Sequence, residues 1–179
     1  MSFVAHLHVS PEHSFSKFSQ DRIALIAGYG VEGDAHAGPT VKHRSRVAID
    51  PSTPNLRQVH LIPEETLSDL IDNGFDVKPG DLGENITTSG IDLHDLPVGT
   101  LLRIGNEALL ALTGLRNPCH QIEDFRSGLL KQCLPKDEQG EVQRRAGVMA
   151  IVIVGGTVNT SDTIEVALPP LPHSPLQRI

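Results

Sequence analysis

The sequence predicts a mainly β protein: a β-barrel with a few peripheral α-helices. Three observations lead there. Short apolar runs of strand length recur between glycine-rich turns. Only two segments space their apolar residues as a helix does. One stretch, TLLRI–GN–EALLAL, carries a strong hairpin signal, because Gly105-Asn106 supports the positive φ of a tight turn.

Taken in order, a polar lead-in precedes RIALIA (22–27), which reads as a buried strand running into GYGVEGDAHAG. The basic, irregular TVKHRSRVAIDPSTPN follows, and then a second apolar strand, LRQVHLI. Pro63 opens a helix: proline suits its first turn, Glu64 and Glu65 suit its positive end, and Gly74 supplies the stop. Leu67, Leu70 and Ile71 share one face of it. Residues 74–99 are turn-rich, with only short β-like pieces. After the hairpin, residues 120–134 place Ile122, Phe125, Leu129, Leu130 and Cys133 at helical spacing. PKDEQGE is a polar loop, and GVMAIVIVGGTV is expected to pair with TIEVAL across NTSD. The tail, with four prolines in its last eleven residues, is expected to be extended or frayed.

The 179 residues suit one domain with a core at about 4–167 and a proline-rich tail at 168–179; a chain of this length buries roughly 70% of its extended surface. A net charge of −7 argues against a general nucleic-acid surface, and 3% aromatics without tryptophan offer no stacking platform. No basic-then-apolar leader is visible, and nowhere do about 18 apolar residues run together. Two cysteines make no disulfide framework. The expectation is a cytoplasmic, soluble chain without nucleic-acid or membrane partners.

Gly28, Gly30 and Gly33 match the dinucleotide fingerprint G-x-G-x-x-G, with Asp50 further on. That motif works only where its glycines open a helix, and here DAHAGPTVKHRSR follows without amphipathic period. A Rossmann site is therefore rejected. A zinc hydrolase through His36, His43 and His60 is rejected too, since no zinc-ligand spacing fits.

TGLRNPCHQI (113–122) places Cys119 at a strand-to-helix corner. Thiolates are favoured by a nearby fixed cation, here Arg116, and by a helix N-terminus, here the one expected from about His120. Pro118 stiffens the corner, and Thr113 and Asn117 can donate to an adjacent anion. On residue chemistry alone two readings stand: a soft nucleophile or metal ligand, and a small packed hydrophobe. Cys133, on the apolar face, reads as core. Asp34 and His36 either hydrogen-bond a ligand or make a local turn; Glu84 and Asn85 pose the same choice. Lys17, His43, Arg44, Arg46 and Arg57 are the cations that could hold an anion.

Five motifs stand in register: Gly-x-x-Gly-Asp-x-His at 30–36, Arg-Gln-Val at 57–59, Gly-Glu-Asn at 83–85, Val-Gly-x-x-x-x-Ile-Gly at 98–105 and Thr-x-x-Arg-x-Pro-Cys at 113–119. In this the chain resembles the MOSC domain, which ends molybdenum-cofactor sulfurases and also occurs alone. It departs at Ile86, where leucine is common, at Ser161, where glycine usually stands, and in a longer insert before Arg57. The resemblance implies a β-barrel whose pocket binds molybdenum cofactor (molybdopterin) or a related sulfur-containing species; residue chemistry then puts Asp34, His36, Lys17, Arg57, Asn85, Thr113 and Asn117 forward as the groups toward it. It implies that Cys119, with Arg116 beside it, carries persulfide sulfur or ligates molybdenum. A cysteine desulfurase-type partner would hold the pyridoxal phosphate, for which this chain has no suitable lysine. Alternatives are a molybdenum-dependent reductase of N-hydroxylated compounds served by a redox partner protein, and a non-catalytic oxyanion-binding barrel. An oligomer is compatible with either.

Overall fold

The computed structural model describes residues 1–42 and 47–179. His43, Arg44 and Arg46 lie outside the described residues. Eleven strands form along the described chain: β1 (Phe3–Val9), β2 (Phe18–Gln20), β3 (Arg22–Ile26), β4 (Gly30–Val31), β5 (Val59–Pro63), β6 (Ile86–Ser89), β7 (Leu101–Ile104), β8 (Ala108–Leu115), β9 (Val148–Val154), β10 (Gly156–Asn159) and β11 (Ile164–Ala167). Helices α1 (Glu64–Asp72), α2 (His120–Phe125) and α3 (Leu129–Gln132) pack around them. No described helix is long and apolar enough to cross a membrane.

The mainly β expectation holds, but the barrel is corrected. An eight-stranded sheet runs β11-β7-β8-β9-β5-β6-β1-β2, and a smaller one runs β10-β3-β4; both are open. The large sheet curls until β1 meets the start of β11 at a single bridge, Phe3 to Thr163. There the Val4 amide donates to the Asp162 carbonyl at 2.9 Å, but no ladder follows to close the ring. In the adjoining turn Ser161 holds φ 71°, the one positive φ of a non-glycine among the described residues. That conformation explains why glycine suits this position.

β5 shows how the sequence sets the layers. All five residues of VHLIP are buried, which a strand covered on both faces requires. Val59 and Leu61 enter the main core between the sheets, with Leu7, Ile23, Ile86 and Leu110. Ile62, on the opposite face, joins a second core beneath the helices, with Leu67, Leu70, Leu82, Ile122, Leu129 and Cys133. Full burial of each such leucine contributes about 1.5–3 kcal/mol. Cys133 is core, as its spacing implied.

Several local expectations need correction. Ile71 is half exposed rather than sharing the buried face of Leu67 and Leu70. Residues 120–134 form two short helices, because Gly128 at φ 85° interrupts the turn between them. The apolar face survives the break. The hairpin forms in register, Ile104 opposite Ala108, but around the three residues 105–107. β11 pairs with β7, β10 with β3, and β9 with β5 and β8, so the predicted pairing across NTSD does not form. The lead-in hides β1, whose FVAHLHV alternation is blurred by two histidines. The tail is docked: the Leu115 amide donates to the Gln177 carbonyl at 2.8 Å, and Leu176 is buried.

Candidate functional site

A cavity of about 180 Å³ opens where β1 and β8 end and β6 begins, over the middle of β5. Its wall holds Lys17, Lys42, Arg57 and Arg116, the histidines His13, His36 and His60, and the Cys119 thiol. Asn55, Asn85 and Gln121 add neutral polar groups, and Phe15, Val41, Leu82 and Met149 the apolar part. Among the described residues no carboxylate lines it. In a chain of net charge −7 that is a strong local inversion.

The floor is a knot of hydrogen bonds around Asp34. Its Oδ2 accepts from Lys17 Nζ at 2.6 Å and from Asn85 Nδ2 at 2.9 Å; its Oδ1 accepts from the His36 amide at 2.9 Å. Side-chain exposure is 4% for Lys17 and 2% for Asp34. Burial works against the Asp34 charge, but the bonds from His36 and Lys17 prevail and hold its carboxyl well below the usual range. Lys17 is shifted down by burial, opposed by Asp34 and Glu84. With so many donors on one carboxylate, the pair is ionised.

Asn85 ties three elements together. Its Nδ2 also donates to the His8 carbonyl, and its Oδ1 accepts from the His60 amide. Both amide hydrogens thus serve the protein, which makes Asn85 a fastener of the wall rather than a donor to a ligand. Glu84, fully buried, accepts from the Gly80 amide and the Thr87 hydroxyl; burial raises its pKa. Gly83 is required between the loop before β2 and the loop before β6, since a Cβ there would stand 2.5 Å from the Phe15 carbonyl. His60 is held neutral, its pKa lowered chiefly by burial and then by Arg116, with Nε2 2.9 Å from the Ala146 oxygen.

Cys119 is half-buried at the rim, between the end of β8 and α2. The geometry departs from expectation in detail. α2 has six residues and Cys119 makes no side-chain cap bond; its Sγ instead donates to Gln121 Oε1 at 3.5 Å. The free amides of the helix terminus therefore make no hydrogen bond to the sulfur. Arg116 remains close: its Nη1 donates to the Leu82 carbonyl at 2.6 Å and its guanidinium lies over the Phe15 ring. Burial lowers the Arg116 pKa, and Cys119 and Glu84 are the leading groups that oppose this.

The structure gathers Lys17, His36, Arg57, Asn85, Arg116 and Cys119 at the cavity wall, with Asp34 beneath it. It does not bring Thr113 or Asn117 there: the Thr113 hydroxyl donates to the Leu56 carbonyl at 2.6 Å, and Asn117 is exposed, away from the lining. Sequence reading missed His13, Lys42, Asn55 and Gln121. The segment Ser10–Lys17 reads as a polar lead-in because its one strong signal, Phe15, acts only once folded over Gly83.

The two thiols are expected to differ sharply. Burial pushes Cys133 up to about 11, whereas Cys119 faces the cavity. Iodoacetamide on native protein should label one thiol per chain, mapped to Cys119 by peptide mass spectrometry; equal labelling of Cys133 would contradict this arrangement.

A sequence model of the MOSC domain matches residues 32–165. Among solved structures, the YuaD protein from Bacillus subtilis shares 27% identity with a TM-score of 0.77, over 95% of this chain and 98% of that one. YiiM from Escherichia coli shares 21% identity at a TM-score of 0.62, covering 99% of this chain and 73% of the other. YiiM from Geobacillus stearothermophilus shares 14% at a TM-score of 0.65, covering 96% and 78%. The two YiiM structures speak for the fold. A search of curated protein sequences returned no significant match. Since the matched segment spans most of the chain and holds all five motifs but the first residues of one, this protein belongs to the MOSC domain family.

Proposed function

We propose that this protein binds molybdenum cofactor, or a related anionic sulfur species, in the cavity and carries sulfur on Cys119. One observation supports the reading above the rest: four cationic side chains, of which Lys17 is paired with Asp34 beneath, and one accessible thiol line a cavity onto which no carboxylate of the described residues opens, in an otherwise acidic molecule. Cations of this kind recognise oxyanions and phosphates, and a thiolate is a soft donor. The residues present therefore fit such a group. At about 180 Å³ the cavity is smaller than the roughly 300–1,000 Å³ of a drug-sized site, so it suits an anionic head whose remainder lies across the open mouth. When bound, the cofactor supplies a redox-active metal with sulfur ligands. Lys42 and Arg57 would hold its anionic oxygens, with Lys17 adding charge from the floor, and Cys119 would offer the sulfur.

For carriage, the Cys119 thiolate attacks the terminal sulfur of a persulfide on a desulfurase-type partner. A new S–S bond forms as the old one breaks, the partner's thiolate departs and takes a proton, and no net oxidation occurs. Pyridoxal phosphate stays with that partner. The test is purification after co-expression with cofactor synthesis, measuring molybdenum, pterin and sulfane sulfur per chain. Wild type is expected to hold one or the other near stoichiometry, and Cys119→Ser to lose it. Metal lost with the thiol would indicate cofactor ligation and open the way to assays on N-hydroxylated substrates; persulfide without metal would indicate carriage. A wild type that acquires neither metal nor sulfur refutes the proposal.

A further inference from the structure

Within the sulfur-carriage reading, on which this rests, we infer that His36 is the proton-transfer residue of the site, oriented by Asp34. His36 Nδ1 faces Asp34 Oδ1 at 3.4 Å, and the backbone amide of the same histidine is fastened to that oxygen. Asp34 is itself immobilised by Lys17 and Asn85. A carboxylate on Nδ1 sets the tautomer and the ring plane and leaves Nε2 as the working nitrogen. The ring is 32% exposed and lines the cavity that Cys119 also lines. His13 stands against it edge to face, with centroids 5.0 Å apart, which restricts rotation of the ring.

The shared cavity makes this geometry consequential. His36 and Cys119 both line it, and its mouth is open. A sulfur species that reacts at Cys119 from within the cavity therefore occupies the space that the His36 ring borders. Of the other lining histidines, His60 is committed to the Ala146 carbonyl and held neutral. Among the described residues, the charged and titratable groups that line the cavity with His36 are His13, Lys17, Lys42, Arg57, His60, Arg116 and Cys119, with Asp34 against His36 and Lys17.

The chemistry asks for such a group. When the Cys119 thiolate attacks R–S–SH or R–S–S–R, an S–S bond forms to Cys119 while the electron pair of the cleaved bond leaves on RS⁻. Protonated His36 gives its Nε2 proton to RS⁻, yielding RSH and neutral imidazole; in the reverse direction it takes the proton back. A basic leaving thiolate needs that proton, an acidic one does not, and iodide never does.

This ordering is the test. Cys119 of the intact protein is reacted with bis(2-hydroxyethyl) disulfide, with 2,2′-dithiodipyridine and with iodoacetamide, in wild type, His36→Gln and His36→Ala. His36→Gln is expected to slow the hydroxyethyl disulfide by about 100-fold or more, with the other two reagents changed far less. Free imidazole is expected to restore His36→Ala. Equal slowing with all three reagents would mean that His36 only shapes the pocket, and no slowing would mean that it transfers no proton; either overturns the inference. A wild type whose Cys119 reacts with these reagents yet accepts no sulfur from a desulfurase sinks the carriage reading instead, which keeps the two failures apart.

Discussion

Asp34→Ala is expected to cost about 3–5 kcal/mol of unfolding free energy, the cost of leaving one member of a buried ion pair without its partner. The stranded group is the Lys17 ammonium, only 4% of whose side chain reaches solvent. Asn85 would lose one acceptor as well, and with it part of the link between β1, β5 and β6. The cost belongs to the unpaired charge more than to the lost attraction. Lys17→Met in the Asp34→Ala background should therefore recover a large share of the stability, because an apolar side chain of similar length needs no counter-charge. Urea denaturation of both single variants and the double tests this. An Asp34→Ala protein within about 1 kcal/mol of wild type would place the pair in the class of surface salt bridges and contradict the buried knot.

Acid is expected to destabilise the fold in two separate windows. His8 is 2% exposed; burial, then His6 and Lys17, lower its pKa to about 4 against 6.5 in the unfolded chain. Above pH 6.5 neither state binds the proton and His8 contributes nothing. As pH falls from 6.5 toward 4 the unfolded chain takes up a proton that the folded one refuses, so stability drops, by about 3 kcal/mol for His8 at 1.36 kcal/mol per unit. His60 works in the same direction. Glu84 opposes both: its folded pKa lies above its unfolded value, so acid relieves the burial of its charge. Asp34 acts lower, since its folded pKa is below the ordinary 3.8; its stabilisation is intact above that value and is lost as pH falls through the depressed one. Stability measured against pH in wild type and His8→Leu isolates the histidine contribution. Coincident slopes between pH 6.5 and 4 would show that His8 is not refused its proton.

The residue pattern was enough for whatever depends on neighbours a few positions apart. Pro63 and Gly74 bracket α1. The 101–115 hairpin has its register, and Ile122, Leu129 and Cys133 share a core face even though their helix is broken. The motifs around Asp34, Arg57, Asn85 and Cys119 also announced one site, because each carries its chemistry within a few residues. Alternation along a strand says which face is buried but not which strand lies beside it. Folding over long separations therefore chose β7 as the partner of β11, left the large sheet open, and docked the tail against Leu115. The same packing turned the Thr113 hydroxyl to the Leu56 carbonyl and laid the Ser10–Lys17 loop over Gly83. It also buried Lys17 against Asp34, converting one of several candidate cations into the floor of the cavity. No local spacing encodes these outcomes, since each rests on surfaces contributed by segments far apart in the chain.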